Sequence, residues 1–225
     1  MKTKVKIKIV IDIFMTLCLL FLMGYQFWPN AVHEWAGMGM VVLFAAHHCL
    51  NRSWYKNLLK NRYSFYRIIQ TVFLLLLFID MIALMISGVL LSNHVFAFLN
   101  LHGGVSFARV LHMVVSYWGF VLMSIHLGMH GNMIVGMLRN ISHINTVSYG
   151  KDFFLYPVIV VIIFYGLFVF VQRQIPSYMF MQTRFVFLDF SESLFVFYLD
   201  YLTMMMGFSL LGYYFLKALI KIHRK

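Results

Sequence analysis

Apolar residues fall along this chain in six long runs separated by short polar stretches. The runs cover residues 10–28, 31–50, 68–91, 108–130, 153–172 and 193–216. Each is close to or above the ~20 residues that cross a bilayer as a helix. Strand-type alternation is missing, which argues against a barrel. The pattern therefore predicts an all-α integral membrane protein, one domain over residues 1–225, built as a six-transmembrane-helix bundle. The lysine-rich start has the look of a signal peptide. Its apolar stretch is long, however, and no small-residue cleavage site follows, so 10–28 reads as a span. Trp28-Pro29-Asn30 predicts a tight turn in which Pro29 stops the first helix and Asn30 caps the second. Glu34, in the first turn of the second helix, suits its dipole. Residues 175–192 set Met179, Phe180, Phe185 and Phe187 among polar residues and read as a segment along the membrane interface.

Composition sharpens the class. The chain is 62% hydrophobic and 11% charged, more apolar surface than a soluble domain of this size can bury. Its net charge of +11 could suggest nucleic acid, but the placement of the charges argues otherwise. Lys2, Lys4, Lys6 and Lys8 precede the first run. Arg52, Lys56, Lys60, Arg62 and Arg67 lie between the second and third, Arg139 and Lys151 between the fourth and fifth. Lys217, Lys221, Arg224 and Lys225 close the chain. All fall on one side of a six-span arrangement, so the charge is a topology signal that puts both termini in the cytoplasm and excludes a nucleic-acid partner. Trp54, Tyr55, Tyr63, Phe65 and Tyr66 suit the headgroup layer between the second and third spans. Cys18 and Cys49 form no Cys-x-x-Cys-His, so covalently attached haem is not indicated.

The chemistry sits in two of the runs. His33–His48 reads HEWAGMGMVVLFAAHH, and Leu111–Gly131 reads LHMVVSYWGFVLMSIHLGMHG. His33 and His47 are 14 residues apart, as are His112 and His126. Fourteen helical residues return to within about 40° of the same face, ~21 Å along the axis. In the six-span order these two helices run parallel, which levels His33 with His112 near the outer side and His47 with His126 near the inner side. One intramembrane histidine reads most simply as a helix-to-helix hydrogen bond. Four at matched spacing predict two axial imidazole pairs, each holding one haem b between helices 2 and 4. Zinc or copper would need ligands converging on one point. Two axial histidines close the iron's coordination and favour electron transfer over oxygen chemistry.

Several neighbours extend the site. Gly119, midway between His112 and His126, and Gly37, Gly39 and Gly128 allow close backbone approach to a porphyrin. Arg109 and Arg52 are candidate propionate partners at the outer and inner levels, Arg52 doubling as a topology charge. His130, one turn past His126, is a haem-edge contact or the alternative inner ligand, and His48 is the alternative to His47, ~60° off the face. His94 and His102 fall in an outer loop, where a solvated residue or a propionate contact both fit, and His143 and His223 read as surface residues. Asp12, Asp80 and Asp200 interrupt apolar runs, and an intramembrane carboxylate raises a functional question, a proton relay or quinone contact at Asp80 included.

The two histidine segments, with the SGVLLS that ends the third run (Ser87 to Ser92), resemble the flavinylation-associated cytochromes over roughly residues 5–140. The resemblance implies a b-type di-haem membrane cytochrome with a four-helix haem-binding core at 5–140 and two further helices at 141–225. It implies ligands at His33, His47, His112 and His126, an extracytoplasmic flavin-carrying acceptor, and the cytoplasmic membrane of a bacterium. The layout is also similar to ferric reductases and to cytochrome subunits of respiratory complexes. No flavin or nicotinamide domain is attached, so the chain is expected to be the electron-transfer component of an oxidoreductase system, taking electrons from quinol or a cytoplasmic-side donor. The competing readings are the membrane anchor of a quinone-linked dehydrogenase, a haem-handling transporter, and a scaffold whose histidines only join helices.

Overall fold

The computed structural model describes residues 3–58, 64–101, 103–142 and 149–223. Lys2, Lys60, Arg62, Tyr63, His102, His143, Arg224 and Lys225 lie outside the described residues, as do the side chains of Arg139, Lys151 and His223. The described residues are helical and contain no strand. In lipid a helix satisfies every backbone N–H and C=O within its own segment, which is why apolar runs of this length fold this way.

The expected runs correspond to six long helices: α1 (Thr3–Met23), α2 (Asn30–Leu50), α4 (Phe65–Leu91), α5 (Val105–Met129), α7 (Tyr149–Gln172) and α9 (Leu194–His223). Three shorter ones lie between them: α3 (Arg52–Leu58), α6 (Gly131–Ser142) and α8 (Ile175–Met179). Phe65–Leu91, Val105–Met129 and Leu194–Lys221 are long and apolar enough to cross a membrane, and Tyr156–Gln172 is a shorter apolar helix. The other two long helices are more polar than the pattern implied. The first three lysines of α1 and Asp12 lie inside the helix, which starts at Thr3 rather than near residue 10. Helix α2 carries His33, Glu34, His47 and His48.

Two local expectations are corrected. Asn30 does not cap α2: Pro29 occupies the cap position and no side chain bonds there. Glu34 serves α4 rather than its own helix. Its carboxylate accepts the Ser92 hydroxyl at 2.6 Å and the backbone N–H groups of Asn93, His94 and Val95 at 2.9–3.0 Å. This latch ties the start of α2 to the loop that follows α4. The 175–192 segment also differs from a surface strip. Ile175, Tyr178 and Met179 are buried, the Met179 carbonyl accepts the Trp118 indole N–H at 3.1 Å, and Phe180, Phe185 and Phe187 remain exposed.

Helix α5 is the hub, packed on α4, α8 and α9. It runs antiparallel to α4, since Ser87 meets His112 and Asp80 meets Gly119. It runs parallel to α9, since Phe120 meets Tyr201 and Gly131 meets Tyr213. Helices α1 and α2 form an antiparallel hairpin, fixed at one end by Lys8 Nζ donating to Asn51 Oδ1 at 2.7 Å. The first turns of α1 and the last turns of α9 thus share one end of the bundle, the lysine-rich end. Across from α5, helix α2 makes almost no direct backbone approach; it lies along α1. Outward residues of α4 such as Val72, Leu76, Ile79 and Ile86, each more than half exposed, form an apolar face suited to lipid.

The α5–α9 contact depends on small residues. A Cβ on Gly128 would lie 1.8 Å from the Ser209 carbonyl oxygen, and one on Gly212 would lie 2.6 Å from that of Ile125. The close approach lets Ser209 Oγ donate to the Ser124 carbonyl at 2.8 Å. Gly128→Ala is expected to destabilise the bundle by about 2 kcal/mol or more, because the obstructing atom is backbone. Gly136→Ala, whose Cβ would meet nothing within 4 Å, is expected to be neutral or slightly stabilising. Thermal unfolding of the two variants in detergent checks the contrast.

Candidate functional site

Four of the predicted histidines gather on two levels between α2 and α5. At the far end from the lysines, the rings of His33 and His112 face one another with centroids 6.4 Å apart and planes at 73°. Two imidazoles bound to opposite sides of one metal ion have centroids about 6 Å apart, because each metal–nitrogen bond is ~2 Å and the ring centre lies ~1 Å beyond. The observed pair matches that spacing.

Hydrogen bonding selects the free nitrogen of His112. Ser87, fully buried, donates its hydroxyl proton to the Leu84 carbonyl at 2.9 Å. Its oxygen is left to accept Nδ1–H of His112 at 3.0 Å. That tautomer leaves the Nε2 lone pair available as a ligand. His33 presents a buried Nδ1 without a partner, and its other face meets the Tyr25 ring at 5.9 Å.

The second level repeats this logic with a carboxylate. Asp12 Oδ1 accepts Nδ1–H of His47 at 2.7 Å, which again leaves Nε2 as the lone-pair nitrogen. A carboxylate behind an imidazole is the usual outer partner of a ligating histidine. Asn51 Nδ2 donates to the His47 carbonyl at 2.9 Å and joins this corner to Lys8. His126 and His130 both lie within electrostatic reach of His47 and Asp12. Their own rings are 4.8 Å apart at 81°, and His126 Nδ1 is buried without a partner. His130 closes α5 at the surface.

His48 turns elsewhere. It bonds the Tyr55 hydroxyl, and its ring packs on Phe44 at 4.1 Å and Phe78 at 5.3 Å. Of the adjacent pair, His47 is therefore the one directed to the α1–α5 side.

The remaining predicted residues separate. Arg109 and Arg52 are exposed, at the first turn of α5 and the start of α3. His94 is exposed on the latched loop. A Cβ on Gly37, one turn past His33, would meet no atom within 4 Å, which leaves open space on that face of α2; Gly39, two residues on, is exposed on another side of the helix. Gly119 differs from expectation: the atom that approaches it is Asp80 Oδ2, 2.7 Å from where its Cβ would be. Asp80 Oδ2 is itself buried without a partner. Asp200 proves structural, held by Arg173 together with Glu192.

Ser87, Asp12 and Glu34 are the participants that sequence reasoning did not assign. Two of them carried a readable signal. Residues 12 and 47 are equidistant from the turn at Pro29-Asn30, so folding the first two runs as a hairpin brings them level. Residues 87 and 112 lie five and eight residues from the two ends of the 92–104 connection, so folding the third and fourth runs back on one another brings them to the same end of the bundle.

Among the described residues no group of three or more His, Cys, Asp or Glu side chains converges on one point; His33 and His112 face one another as a pair. Comparison of the chain with known protein families, with curated proteins and with solved structures finds no match.

Proposed function

We propose that this chain is a b-type membrane cytochrome that carries electrons across the bilayer with two bis-histidine haems, one held by His33 and His112 and the other by His47 and His126. The observation that carries this reading is the His33–His112 pair, at the spacing of trans ligands and with one nitrogen already oriented by Ser87. Haem iron bound by two imidazoles supplies one-electron redox chemistry without an open coordination position.

The chain's own residues do the rest. Ser87 and Asp12 hold the Nδ1 protons of His112 and His47, so Nε2 of each would be the nitrogen free to bind iron. Gly37, one turn past His33, leaves clearance on α2. Arg109 and Arg52, one at each end, supply cations for propionates. The fourteen-residue spacing on each helix sets the two levels ~21 Å apart along the axis.

In this reading all six long helices span the membrane, and the lysine-rich end is cytoplasmic by the positive-inside rule. Electrons arrive from quinol or a cytoplasmic-side donor and leave to an extracytoplasmic flavoprotein or similar carrier. The membrane is the cytoplasmic membrane of a bacterium, as the family resemblance implies.

The purified protein is expected to show a b-type absorption spectrum with about two haems per chain, neither covalently attached. His112→Ala and His126→Ala are each expected to remove one haem and spare most of the other, read by pyridine haemochrome. A folded protein that takes up no haem would overturn the reading in favour of a scaffold, and a single weakly held haem would favour a transporter.

The Asp12 contact makes a separate prediction. Asp12→Leu is expected to weaken retention of the second haem by ~10–100-fold, the usual effect of losing an outer partner of a ligand. Asp12→Asn keeps an oxygen for Nδ1–H and is expected to retain most of it. His47→Ala is expected to lose that haem and His48→Ala to keep it. Haem transfer to apomyoglobin measures all four.

A further inference from the structure

At the far end of the bundle, beside His33, a cleft of about 610 Å³ lies between the end of α1, the middle of α5, and α8 and α9. That volume suits a small organic ligand. Its lining is chemically selective. Tyr117 and Tyr178 stack at 5.1 Å and 21° on one wall, and Val196 and Phe197 form an apolar wall opposite. Gln26, on the turn that follows α1, brings a buried Nε2 amide with no hydrogen-bond partner.

The charges around the cleft are already engaged. Arg173 donates Nε–H to Asp200 at 2.9 Å and bonds Glu192 through both terminal nitrogens. Burial opposes its charge, and the bonds to Glu192 and Asp200 outweigh that and hold its pKa above the ordinary value. Asp189 accepts the Ser191 hydroxyl at 2.6 Å and the Ser191 N–H at 2.9 Å, and these bonds hold its carboxyl below the usual range. The lining thus carries three carboxylates against one guanidinium. A phosphate-bearing ligand would be repelled there. A neutral one with a carbonyl to accept from Gln26 and a flat face for the aromatic wall would be welcomed.

We propose that this cleft binds the headgroup of a membrane quinone, a neutral planar ring with carbonyl acceptors whose apolar tail lies in lipid. The inference rests on the cytochrome reading, because a one-electron carrier next to the cleft is what gives a quinone a role there. Tyr25 supplies the adjacency: it lines the cleft, and its ring meets that of His33 at 5.9 Å. A quinone held there would exchange electrons with the His33–His112 level, the end at which the proposed route leaves the bilayer.

An azido-benzoquinone with a short alkyl tail tests this on the full chain in detergent, with the labelled peptides mapped by mass spectrometry. Labelling is expected on the peptides around Gln26 and Tyr178–Tyr201, displaced by decylubiquinone and not by flavin mononucleotide. Gln26→Leu and Val196→Trp, the latter filling the cleft from a half-exposed position, are each expected to cut labelling tenfold or more with haem content unchanged. Labelling scattered over the lipid-facing helices, or unaltered in both variants, would overturn the assignment, as would displacement by flavin mononucleotide alone. Cleft labelling in a protein that holds no haem would sink the cytochrome reading and leave the quinone site standing.

Discussion

A polar side chain taken out of water has to find a partner, and the arrangement of this molecule follows from how its acids and imidazoles meet that demand. Asp12 takes His47 and thereby fixes the register of the α1–α2 hairpin. Asp200 takes Arg173 and joins the end of α7 to α9. Glu34 takes the loop after α4. Each of these bonds joins two elements that apolar packing alone could slide past one another. Asp80 is the exception: its Oδ2 is pressed against Gly119 and has no partner.

The histidines belong to the same economy. Two of them reach the space between α2 and α5 with their Nδ1 protons already committed, to Ser87 and to Asp12. Committing that proton decides the tautomer, and the tautomer decides which nitrogen is a donor of electrons rather than of hydrogen bonds. In His112 and His47 the committed proton lies on the nitrogen turned to Ser87 and to Asp12.

Much of this was legible in the chain itself. The number of long helices follows from apolar run length, and the two-level histidine geometry follows from a fourteen-residue spacing on helices of known pitch. The placement of His47 over His48 followed from forty degrees against sixty. Other features were hidden because they depend on tertiary neighbours. Glu34 satisfied a local rule about helix dipoles, yet three backbone N–H groups of a distant loop offered it more than its own helix did. Gly119 had the position and size to admit a cofactor, but nothing in its own segment says that Asp80 of α4 will lie against it. The 175–192 segment has a surface composition and still buries Ile175, Tyr178 and Met179, because Trp118 and Tyr117 of α5 provide the seat.

The Glu34 latch has a mechanical meaning. Helix α2 runs along α1 and leaves α5 almost untouched, so the hairpin stands off from the hub helix rather than packing into it. The stand-off at the His33 end is set by a few hydrogen bonds between one carboxylate and residues 92–95. Those residues act as a ruler. Lengthening or shortening that short stretch of chain would reset the gauge between the His33 and His112 rings without altering either histidine, so the loop determines their separation as much as the two helices do.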